Sequence, residues 1–410
     1  MRLVLLLPLL TCLTASLPAE DWPMWRGPRL DGTSLDTGFP TTTEGHTTWR
    51  VPVPGSGHAS PIVFGDRIYL VSSLAETEER VLQAFSRADG ALTWQSTVLK
   101  SPLEGKHRLN SHASSTPACD GQRLFTAFLD RDEVVISAHD LAGQSLWQVR
   151  PGPFASKHGF SSSPILFEDL VIVNCDHDGP GFIVALEAAT GTERWRIVRP
   201  NNTRSYCVPM IREMAGRTQM VLSGTKCVTS YDPRTGELLW IIDGPTEQFV
   251  ASLVFNEKTQ LLYMTGGFPE HHLLAIRPDG SGNVTDTHIV WRTNQGVAYV
   301  PSPITVGRYL LIVSDSGIAH CFDAAGGDLL WKERFREHHA SQTTAEGLVQ
   351  FIGDDGTLRV VRPGPSYDLV AESTVGGPVF ASPALSEGQI FIRTDTELIC
   401  LGQRRSAPAP

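Results

Sequence analysis

The chain has 410 residues, 41% of them hydrophobic and 19% charged, and a formal net charge of −10. That is enough apolar material for a large core and excludes a disordered chain, while the acidic balance argues against a nucleic-acid binder, which needs a basic footprint. With 37 Gly and 28 Pro the composition suits an all-β protein rich in turns.

At the N-terminus, Arg2 precedes an apolar run from Leu3 to Leu10, and Leu17-Pro-Ala19 stands before Glu20. This reads as an export signal over 1–19, because the apolar run is too short to span a membrane as a helix. The expected location is therefore periplasmic or extracellular, with no transmembrane segment after cleavage. Leu9-Leu-Thr-Cys12 partly resembles a lipid-attachment box, but Thr11 is a poor residue before a modified Cys, so soluble export is the reading. The stretch Asp21-Trp22-Pro-Met-Trp25-Arg26-Gly27-Pro28 opens an arm, 20–40, with no counterpart later in the chain. Two Trp left in water are costly, so the arm is expected to cover an end or side of the domain rather than to be a recognition patch.

From 41 to 402 the chain repeats. Ser230-Tyr-Asp232-Pro-Arg-Thr235-Gly236-Glu-Leu-Leu-Trp240 has degraded copies ending at Trp49, Trp94, Trp147, Trp195, Trp291 and Trp331, with an eighth place near Ala371-Glu372 where the Trp is lost. An Asp that caps its own backbone and a Gly that takes positive φ make a tight turn between strands, and the Trp is expected to end the following, outermost strand as a buried wedge packed between units. Each unit begins with a small or hydroxyl residue, then Pro, then a β-rich run: Ser60-Pro61, Thr116-Pro117, Ser163-Pro164, Val208-Pro209, Ser302-Pro303 and Ser382-Pro383, with Ser252-Leu253 and Ser341-Gln342 as weaker cases. Successive Trp lie 40 to 53 residues apart, the length of a four-stranded propeller blade. The expectation is an all-β, eight-bladed propeller of four-stranded antiparallel blades. Trp49 ends a unit before any Pro element appears, and Pro383 starts one that lacks a Trp, so the two chain ends should build one blade and close the ring. Residues 403–410 read as a disordered tail.

Six Cys remain after the signal, scattered over five units of a chain with ample core, so they read as buried small hydrophobes. Only Cys207 and Cys227 share a unit, on strands that are not neighbours, and no bridge is expected. No Cys-x-x-Cys or His-Glu-x-x-His spacing writes a local metal site. The acidic clusters 130–133, 176–178 and 354–355 fall at turns between second and third strands and read as solvated.

The eight connections from each Trp to the next inner strand hold 13 Lys or Arg against 5 Asp or Glu, and six of the 13 His. Propeller geometry gathers them on one face, so His58, His112, His158, Arg204 and His339 are expected around the channel mouth. They read either as loop residues paired with the acidic surround or as a seat for a carboxylate, a sulfated glycan or an acidic loop, tightening as the His protonate.

The Ala-x-Asp-x-x-Thr-Gly-x-x-x-Trp pattern, as in Ala185 to Trp195, resembles the tryptophan-docking motif of the pyrroloquinoline-quinone (PQQ) repeat proteins. The opening Asp21 to Pro28 looks like that of secreted PQQ-like propellers of Planctomycetes and Verrucomicrobia. The resemblance implies either a non-catalytic BamB-like scaffold with a protein or anionic ligand as partner, or a quinoprotein dehydrogenase using PQQ and Ca²⁺. This sequence has no adjacent Cys pair, no Ca²⁺-ligand segment and short units, so the scaffold is the expected branch, monomeric and without cofactor; the dehydrogenase remains the alternative.

Overall fold

The computed structural model describes residues 20–155 and 158–405; the export signal, Cys12 and the tail beyond Arg405 lie outside them. The local turns form as their chemistry dictates. Asp140 Oδ1 accepts the amides of Ala142 (2.9 Å) and Gln144 (2.8 Å), and Gly143 takes a φ of +84°. Asp323 and Asp232 cap their own turns in the same way. The second and third strands of each unit are buried on both faces between neighbouring sheets, as in Leu170–Cys175, whereas outer strands such as Glu193–Val198 alternate between core and solvent.

Eight antiparallel sheets result, with blades at 62–100, 118–153, 165–198, 210–243, 254–293, 304–334 and 343–374, and an eighth made of 384–401 with Thr47–Pro52 as its outer strand. Among the described residues there is no helix. Thr47–Pro52 pairs antiparallel with Glu397–Leu401, so the ring closes between chain ends as expected. Two buried arginines tie that seam to the first blade. Arg393 donates to Val71 O (2.7 Å) and Ser72 Oγ (2.9 Å), and Arg87 to Gln389 Oε1 (2.8 Å) and Ser386 O (2.9 Å).

The Trp do not end their strands. Each is the third residue of its outer strand, and in every case but Trp291 only three residues separate it from the turn Gly; Ala371 holds the same place in Leu369–Thr374. Each ring then docks on the next blade. Trp147 Nε1 donates to Ala188 O (3.0 Å) and Trp291 Nε1 to Ala324 O (3.1 Å), and a Cβ on Gly191 or Gly327 would sit 2.7 Å from those rings. The turn Gly is thus demanded twice, by its φ and by the ring lying on it. Trp240 departs from the rule. Its Nε1 donates to Gln219 Oε1 within its own blade (2.8 Å), and the longer turn that follows returns as Gly282–Asn283, adding a fifth, parallel strand that covers it.

The Pro element has a structural meaning that lies in its hydroxyl. Ser60 N donates to Thr116 Oγ1 (2.9 Å), Thr116 N to Ser163 Oγ (2.9 Å), Ser252 N to Ser302 Oγ (3.0 Å), Ser302 N to Ser341 Oγ (2.9 Å) and Ser341 N to Ser382 Oγ (2.9 Å). This girdle joins blade to blade around the axis. The two weaker copies keep the hydroxyl and lose the Pro, while Val208 lacks the hydroxyl and instead accepts from Ser252 Oγ (2.7 Å).

The N-terminal arm closes one end of the channel. Trp22 exchanges both backbone hydrogen bonds with Val63, Cys119 N donates to Pro23 O, and Thr33 pairs with Thr344, so the arm borrows inner-strand edges from three blades. Trp22 is fully buried, and Arg26, also buried, donates to Pro303 O (2.7 Å) of a further blade. Residues 403–405, expected to belong to a disordered tail, are anchored instead: Arg405 N donates to Glu387 O (2.9 Å) and Arg404 pairs with Glu387 and Asp66. All six described Cys are buried free thiols.

Candidate functional site

At the end opposite the arm, the connections into the inner strands and the turns between second and third strands surround a funnel of about 1170 Å³. Trp25 of the arm lies at its base beside the girdle residues Ser60, Thr116, Ser163, Ser341 and Ser382, so the funnel is blind. Four of the five residues expected at the mouth line it: His58, His158, Arg204 and His339. His112 does not. The connection 95–116 folds on itself, His112 Nε2 donates to Glu104 O (2.8 Å), and His107 takes the place at the mouth, its ring 5.4 Å from that of His158.

Two of the charged groups at the mouth are held in ion pairs. Arg204 donates to both carboxylate oxygens of Asp178. His339 N and Nδ1 reach the two oxygens of Asp354 (2.8 and 2.6 Å). Burial pushes the His339 pKa down, but the Asp354 carboxylate more than offsets it and the net shift is upward. His58 has no such partner. Burial, aided by Arg393, lowers its pKa to about 4, so it stays neutral through the range in which ordinary imidazoles protonate. The expected tightening of an anion with falling pH therefore fails at His58. The acidic clusters are not uniformly solvated either, since Asp176 is fully buried against Arg199 (2.9 Å), which the end of the outer strand delivers between two blades.

Aromatic rings form much of the wall. Phe380 lies between His58 (4.6 Å, stacked) and His339 (5.5 Å), Tyr206 stacks near His158 (6.2 Å), and Tyr299 donates to Gln248 Oε1 (3.3 Å). Phe268 stands exposed at the rim. None of these rings was singled out from the sequence. Tyr206, Tyr299 and Phe380 sit in the same connections that charge sorting picks out, so sorting those stretches by aromatic content as well is the signal that finds them.

A calcium-quinone centre needs several oxygen ligands for the metal. Asp315 is the carboxylate in the described lining, and its two oxygens already accept the amides of Tyr299 (2.7 Å) and Val300 (3.0 Å). No cluster of three His, Cys, Asp or Glu among the described residues could hold a metal ion. The donor set does not fit that centre.

Residues 41–130, 131–284 and 283–363 match the family model described as outer membrane protein assembly factor BamB. The BamB of Moranella endobia (strain PCIT) is 25% identical over 293 residues, 67% of this chain and 64% of that protein. The BamB of Burkholderia pseudomallei (strain K96243) is 25% identical over 114 residues, 27% of this chain and 29% of that one. The chain thus spans less than two thirds of either relative. Among solved structures, BamB from Moraxella catarrhalis superposes with a TM-score of 0.61 at 12% identity, covering 87% of this chain and 99% of that one. Quinohemoprotein alcohol dehydrogenase from Comamonas testosteroni gives 0.68 at 11% over 95% and 82%, and a europium-containing methanol dehydrogenase 0.59 at 12% over 94% and 98%. At such identities these structures speak to the fold alone.

Proposed function

The chain belongs to the family whose model is described as outer membrane protein assembly factor BamB, and from that premise we propose that it is an exported, non-catalytic binding propeller of the cell envelope, working through its open, histidine- and aromatic-lined face. The observation that carries the reading is the blind funnel: a wide, preformed recess on a rigid ring, with Asp315 committed to backbone amides and Arg204 paired with Asp178. Such a recess can hold a ligand or a partner loop but offers no free acid-base pair. The similarity to BamB proteins supports an envelope location and a scaffold role. The superposition on two dehydrogenases extends to their fold.

Two measurements test it. Fractionation of the producing cell should place the protein outside the cytoplasm. The purified chain, incubated with PQQ and Ca²⁺, should reduce no dye with alcohols or sugars as donors. Recovery in the cytoplasm overturns the envelope assignment, and saturable Ca²⁺-dependent dye reduction overturns the non-catalytic one.

A further inference from the structure

We infer that the funnel binds a neutral oligosaccharide longer than one ring, seated over Trp25 at the base and held at the rim by Phe268, Asn294 and Gln295. This rests on the binding-propeller reading and specifies its ligand. Size is the first argument: about 1170 Å³ exceeds the roughly 300–1,000 Å³ of a drug-sized site, so the recess suits a chain of several units.

Charge is the second. A carboxylated or sulfated ligand would compete with Asp178 for Arg204 and with Asp354 for His339, two charges that already have counter-ions. Lys332 lies exposed at the edge and outside those pairs. What the lining offers instead is side-chain amide and hydroxyl chemistry: Asn294, Gln295, Ser161, Ser316 and Tyr299. Groups that both donate and accept match sugar hydroxyls, which do the same. Aromatic faces match the C–H faces of sugar rings by burying them without demanding charge.

The third argument excludes an extended peptide. Such a ligand gains affinity by adding a strand to a free edge. Here the amides at the funnel's waist are consumed by the Ser and Thr girdle, and at the closed end the arm occupies the inner-strand edges at Val63 and Thr344. A peptide would find few backbone partners in the recess.

The test is calorimetric titration of the full mature chain with cellotetraose, maltotetraose, xylotetraose, mannotetraose and chitotetraose, against a heparin tetrasaccharide and an acidic hexapeptide. At least one neutral chain should bind. Phe268→Ala and Gln295→Ala alter exposed side chains and should keep the native circular dichroism, yet weaken that binding by about tenfold for the aromatic change. Leu92→Ala, on the outer rim, should leave it unchanged. Binding of the heparin fragment or peptide alone, absence of binding by every neutral chain, or equal affinity in wild type and both rim variants would each overturn the inference. None of these results bears on fractionation or dye reduction, so the ligand assignment can fall while the binding-propeller reading stands.

Discussion

Gly191 carries a Trp ring where a side chain would be. Its φ is +74°, and an added Cβ would lie 2.7 Å from Trp147 Cε3 and 3.2 Å from Val149 Cγ1. Gly347 has nearly the same φ, +75°, with nothing within 4 Å. The pair separates backbone strain from ring docking. Gly347→Ala should cost about 1 kcal/mol, the left-handed penalty alone, whereas Gly191→Ala should cost about 2–4 kcal/mol because the ring must also move. Chemical denaturation measures both, and equal losses would refute docking as a reason for the Gly. The spacing of Gly and Trp was plain in the sequence. What it could not reveal is that the ring packs on the Gly of the following repeat, because the contact crosses from one copy of the motif to the next.

At the scale of elements the arm behaves as part of the ring. A mere cover would tolerate truncation, but Trp22 is fully buried, belongs to the same buried cluster as Val63, Phe85 and Phe391, and pairs its backbone with an inner strand. Trp22→Ala should therefore cost about 3–5 kcal/mol, as a large core truncation does. Differential scanning calorimetry checks it, and a loss below about 1 kcal/mol would return the arm to a surface flap. The arm was legible as something that covers an end, since two Trp cannot profitably face water. Its strand pairing was not, because a segment without repeat partners carries no register signal.

For the whole molecule, buried imidazoles set the response to acid. His58 and His139 are both depressed to about 4 by burial, against about 6.5 when unfolded. The unfolded chain takes up their protons first as pH falls, so their contribution is complete above pH 6.5 and lost on the way down to about 4. His339, shifted upward, acts in the opposite sense and loses its contribution as pH rises through its folded value. Asp21, Asp36, Asp176 and Asp395, raised by burial, also act in that opposite sense, so the imidazole term is isolated by comparison: His139→Gln should make stability fall less steeply between pH 6.5 and 4.5 than in the wild type, by on the order of 1–3 kcal/mol. Identical slopes in the two proteins would exclude His139 as a source. Blade count, phase and closure were readable because each strand start and each Trp is encoded locally. The funnel was readable only in part, because one residue from each of many blades builds it: His58, His158, Arg204 and His339 arrived there, while His112 was turned aside by its own loop. Glu20 is held by Ser386 and Asp36, and Arg405 by Glu387, all at the plugged end of the ring. A tether that pulled on Glu20 or Arg405 would therefore hold the ring, like a goblet, by its foot, on the side away from the open rim.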